Sequence, residues 1–159
     1  MKLSTRDLVI LAFLIALSFI LANIKIAGSI ALDSAPAFLA LFVYKDYRAA
    51  IVGSIGHLLS ASLSGFALGL PVHLIIAATM AIMLLIAAWL IKKFNQTTAF
   101  GFIFIFNVMV APLPVFLIMP FSQEVYLAFF IALAPATLLS LVIAGVLTKP
   151  TKQALRIYD

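Results

Sequence analysis

From Leu70 to Ile91 the chain carries no charged residue. A helix of that length, at about 1.5 Å per residue, crosses the roughly 30 Å hydrocarbon core of a bilayer. This is one of six such apolar runs. The sequence places them at about 7–23, 34–46, 48–64, 70–91, 99–119 and 124–147. Breakers separate them: Asn23, Ser34-Ala35-Pro36, Ser64-Gly65, Leu70-Pro71, Lys92-Lys93 and Lys149-Pro150. Proline suits the first turn of a helix, so Pro36 and Pro71 read as starts. Pro112 and Pro114 fall inside the fifth run, where they are expected to kink it and free carbonyls.

Composition agrees. Hydrophobic residues make up 66% of the chain and charged ones 9%, against about 45–50% and about 25% in soluble domains. A water-soluble globule of 159 residues could not hide that surface, so lipid is its solvent. The expected fold is an all-α integral membrane bundle of six transmembrane helices, with residues 1–159 as one domain. Lys2 and Arg6 before the run Leu8–Ala22 imitate a signal peptide. Five further spans favour a retained first helix.

Basic residues in short loops favour the cytoplasmic side. With both termini cytoplasmic, the inner segments hold Lys2, Arg6, Lys45, Arg48, Lys92, Lys93, Lys149, Lys152 and Arg156. These are nine of the ten basic residues, and Lys25 lies outside. The net charge of +5 is thus spread over loops and does not form a nucleic-acid-binding stripe. The outer connections are expected at Ile24–Asp33, Gly65–Gly69 and Phe121–Glu124, and the tail Thr151–Asp159 as a surface cap. Having no cysteine, the chain can form neither a disulfide nor a thiolate site.

Polar side chains within spans face a bundle interior or a watery cavity. His57 falls near the middle of the third span, Asn107 near the middle of the fifth, and His73 one turn below the outer end of the fourth. Asp33 stands where the second begins. Their depths predict an outward cavity with His57 and Asn107 at its floor and Asp33 and His73 near its mouth. Ser60 lies on the same span as His57, and Phe38 and Phe66 are close enough to stack on a flat ring. Each residue has an alternative structural role: packing glue for His57 and Asn107, solvated helix ends for His73 and Asp33. Two histidines and an aspartate resemble a metal set in inventory, but their spacing matches no metal motif, so no metal is expected.

Small residues Ala49, Gly53, Gly56, Ser60 and Ser64 recur along the third span, which suits close internal packing. Ala12 and Ala16 form a similar pair on the first. No phosphate-binding G-x-x-x-x-G-K-[ST], H-E-x-x-H or G-x-S-x-G motif is present. The chain therefore reads as a capture subunit without an engine of its own.

These features resemble the substrate-binding subunits, or S components, of energy-coupling factor (ECF) vitamin transporters. Ala12-Phe13-Leu14-Ile15-Ala16 fits the family's A-x-x-x-A signature on the first helix, which implies docking on a transmembrane coupling subunit. Leu32–Phe38, Gly53–Ala61 and Gly69–His73 resemble the subgroup proposed to import α-ribazole, the lower-ligand nucleoside of cobalamin. The resemblance implies ligand capture outside the cytoplasmic membrane of a prokaryote. It also implies release driven by two ATPase partners, with no cofactor on this chain. Another vitamin-like ligand, a small membrane enzyme using His57, His73 and Asp33, and a self-assembling channel are the alternative readings.

Overall fold

A computed structural model describes residues 3–23, 25–26, 30–119 and 122–157, with the backbone alone at 25–26 and 30–31. Lys2, the Lys25 side chain and Phe121 lie outside the described residues. Six helical segments follow the six apolar runs, and the ends of several differ from the sequence expectation. Helix α1 spans Thr5–Leu21. It starts two residues early because Ser4 and Asp7 form a capping box. Ser4 Oγ accepts from Asp7 N at 3.2 Å, and Ser4 N donates to the Asp7 carboxylate at 3.1 Å. A two-residue antiparallel ribbon, β1 (Lys25–Ile26) with β2 (Ile30–Ala31), occupies part of the first connection.

Helix α2, Ala35–Tyr44, has Pro36 in its first turn and a left-handed stop at Lys45. At 10 residues it is about 15 Å long. Every residue from Ala35 to Val43 is buried. A helix apolar all round belongs at the centre of a bundle, and α2 fills that place. Helix α3, Arg48–Leu63, lies against it.

The small residues of α3 serve this packing. A Cβ built on Gly53 would stand 2.5 Å from Leu84 Cδ1, and one on Gly56 would stand 2.9 Å from both Ser18 Cβ and Ser18 Oγ. Gly53 therefore admits α4 (Leu70–Lys93) and Gly56 admits α1. Ser54 Oγ ties α3 to α4, 3.2 Å from Ala77 O. Gly56→Ala is predicted to destabilise the bundle by about 1–3 kcal/mol through overpacking, read as a lower thermal midpoint in detergent. Adding Ser18→Gly removes both clashing atoms and should recover part of the loss. An unchanged midpoint for Gly56→Ala would refute the account.

The fifth run is broken. Helix α5 (Gln96–Ile105), capped by Asn95, passes into a π turn over Phe106–Val110 and then into α6 (Leu113–Ile118). Ala111 N donates to Phe106 O at 2.8 Å, the wide i→i+5 closure. Pro112 and Pro114 explain why the regular ladder ends there, since neither has an N–H to give. Among the described residues, three stretches are long and apolar enough to cross a membrane by length and composition: α4, Gln96–Ile118 and α7 (Gln123–Leu155).

Helix α7 corrects the expected end near residue 147. It runs 33 residues, about 50 Å, through Pro150 to a left-handed stop at Arg156. The tail therefore begins as helix, not as a separate cap. Pro150 stands in the final turns, where a missing N–H costs one bond and does not stop the chain continuing.

One end of the bundle collects the charged turns. Arg48 Nη1 and Nη2 lie 2.8 Å from Asp7 Oδ1 and Asp46 Oδ2 respectively, and the guanidinium lies 3.9 Å above the Tyr44 ring. Arg6 Nη1 reaches Leu155 O at 3.5 Å. The start of α1, the α2–α3 turn and the end of α7 thus share one face.

Candidate functional site

The opposite half of the bundle holds a cavity of about 530 Å³. Asp33 and Ser34 reach it from the turn that starts α2, His57 from α3, and His73 and Met80 from α4. Asn107 enters from the π turn, and Pro112 and Phe116 from the broken stretch after it. The α7 wall is a helical stripe that ends in Ala136, Thr137 and Ser140. Such a lining, mostly apolar with a few convergent polar groups, is typical of small-molecule sites.

Four of the seven ligand-contact candidates from the sequence meet here: Asp33, His57, His73 and Asn107. His57 and His73 stand at one level, with His73 Nδ1 3.3 Å from His57 Nε2 and the ring centroids 5.4 Å apart. One ring donates and the other accepts. His73 is 8% exposed, and its Nε2 is buried without a partner. Asn107 Nδ2 donates to Thr137 Oγ1 at 2.8 Å. The π turn sets this contact, because one extra residue in the turn rotates Asn107 relative to a regular helix.

The other three sit elsewhere. Phe66 backs His73, with centroids 5.6 Å apart, from a left-handed position (φ 53°) beside Gly65 in the α3–α4 loop. Ser60 lies directly behind the cavity wall, its side chain beside the Asp33 carboxylate, and does not itself line the cavity. Phe38 is fully buried in the central core, on a helix that has no solvent-facing side. Sequence reasoning passed over Thr137 and Ser140, which are 2% and 1% exposed. They were readable as two hydroxyls three residues apart in an apolar span. The aromatic groups at the cavity are Phe116 and Phe129, whose rings meet edge to face at 5.5 Å.

The histidine pair makes a directional prediction. His57→Leu leaves both nitrogens of the buried His73 ring without partners, whereas His73→Leu leaves His57 beside the cavity. His57→Leu should therefore lower the thermal midpoint more, by the equivalent of about 1–3 kcal/mol. Equal effects would show that leaving the His73 ring unpaired carries no cost beyond loss of the shared hydrogen bond.

Ala12 and Ala16 lie on the exposed side of α1, next to Phe13 at 64% exposure, while Leu11, Leu14 and Ser18 face the core. The small pair thus looks outward from the bundle, unlike Gly53 and Gly56. No curated protein and no solved structure is matched by the chain. A family model described as "ECF-type riboflavin transporter, S component" matches residues 2–156, nearly the whole chain. With its apolar helices and that match over nearly its whole length, the chain belongs to the ECF-type riboflavin transporter S component family, a family of membrane-embedded transporter subunits.

Proposed function

We propose that this S component captures α-ribazole and delivers it to a coupling module. The convergence of Asp33, His57, His73 and Asn107 on one apolar cavity carries this reading. A ribose needs several hydrogen-bonding partners, and a carboxylate is a good acceptor for a sugar diol. A dimethylbenzimidazole needs the flat apolar room that Met80, Phe116 and Phe129 border. Riboflavin is the second reading, favoured by the description of the matching family. It too pairs a flat ring with a polyhydroxyl chain.

In this reading the charged face with both termini is cytoplasmic, in keeping with the positive-inside rule. The membrane is the cytoplasmic membrane of a prokaryote. Ala12 and Ala16 form the contact with the transmembrane coupling subunit, whose two ATPases hydrolyse ATP. The loaded subunit topples against its partner to release the ligand inside. The 64–69 loop and the first connection gate the cavity. The chain carries no cofactor and performs no covalent step.

Calorimetry on the purified chain tests the substrate, with α-ribazole beside riboflavin, thiamine, biotin and cobalamin. One-to-one binding of α-ribazole in preference to the others is the expected result. Preferential binding of riboflavin would replace the substrate and keep the capture role. If folded protein bound none of them, the substrate assignment would fall.

A further inference from the structure

A second concavity, about 360 Å³, lies on the charged face, far from the ligand cavity. Gln96 at the start of α5 forms one wall, and Gly145, Lys149, Lys152 and Gln153 of α7 form the other, with Ile157 closing the end. With Thr148, which also lines the groove, these α7 residues follow i, i+3, i+4, i+7, i+8 spacing and so share one helix face. No aspartate or glutamate lines the groove among the described residues.

The same stripe continues toward the bilayer. Leu138 and Val142, each 47% exposed, lie in line below Gly145, and a Cβ added at Gly145 would meet nothing within 4 Å. The stripe therefore has two ammonium groups and one amide at the end of a helix about 50 Å long, with the Gln96 amide across from them on α5. Beneath them come an open notch and then an apolar track. That sequence of chemistries matches one lipid molecule: phosphate, glycerol, acyl chain.

We propose that this groove binds an anionic phospholipid, its phosphate held by Lys149 and Lys152 and one acyl chain passing over Gly145 along Val142 and Leu138. Amide groups of Gln96 and Gln153 are placed to contact the headgroup oxygens. Charge complementarity selects an anionic lipid over a zwitterionic one, and the notch selects a lipid over a soluble anion. The site is independent of which substrate fills the other cavity.

Native mass spectrometry on full-length protein from mixed phosphatidylglycerol and phosphatidylcholine vesicles tests this. Phosphatidylglycerol should be retained preferentially. Lys149→Gln should weaken retention about fivefold, and Lys149→Gln with Lys152→Gln about 30-fold, since each surface lysine contributes about one such factor. Gly145→Leu keeps both charges but fills the notch, and should also reduce retention. Lys92→Gln with Lys93→Gln, in the last turn of α4 and outside the groove lining, controls for the general surface field and should have the smaller effect. Equal retention of the two lipids would overturn the proposal. So would equal loss in the groove and control variants, or displacement of the lipid by millimolar inorganic phosphate, which would mark a soluble-anion site.

Discussion

Ala12→Trp combined with Ala16→Trp is expected to abolish uptake and assembly with the coupling subunit while leaving ligand binding intact. Both alanines face outward from α1, so two indoles there meet no atom of the chain's own core. Against a partner helix they would prevent the close backbone approach that small residues permit. An interface centred on such a contact loses several kcal/mol when its core is overfilled, which is more than a thousandfold in affinity. Co-purification with the coupling module and uptake into cells measure the loss, and calorimetry on the isolated subunit measures what remains. Intact assembly would move the docking face elsewhere on the bundle. Loss of ligand binding as well would indicate damage to the fold.

The second large effect is expected inside the cavity. Asp33→Ala should weaken ligand binding about 10- to 100-fold, the cost of leaving a buried polar ligand group without its charged partner. Asn107→Ala should act in the same direction, and it also removes the donor that meets Thr137 Oγ1 at 2.8 Å. Phe38→Leu is the contrasting variant. Its ring is fully buried in the core, so it should lower thermal stability and leave affinity near that of the wild type. If Asp33→Ala and Asn107→Ala both bound ligand like the wild type, the cavity would not be the capture site.

The histidine pair and the Asn107–Thr137 contact link the walls of the cavity without filling it. Ligand hydroxyls would compete for the same atoms, so binding would exchange internal hydrogen bonds for external ones. Such exchange limits the number of unpaired polar groups at the cavity, whose burial in an apolar setting is costly. His73 Nε2 is an exception at the site.

Much of the architecture was legible in the sequence because the bilayer imposes it. An apolar run of about 20 residues has one stable form in lipid, a helix with its backbone bonds closed internally. The six runs and their division into two faces followed from that, and so did the break at Pro112 and Pro114. Asp33, His57, His73 and Asn107 could be singled out because polar groups in apolar spans need partners. Their meeting in one cavity could not be read, since it depends on helix rotation. A π turn shifts Asn107 by one residue's worth of rotation, and nothing in the local composition announces it. Phe38 shows the same limit from the other side: its place on a helix buried all round is a property of the bundle. The sequence by itself determined that the chain is membrane-embedded and which residues are out of place in lipid. Tertiary structure decided which of those residues face one another, because that depends on how closely Gly53 and Gly56 let neighbouring helices approach.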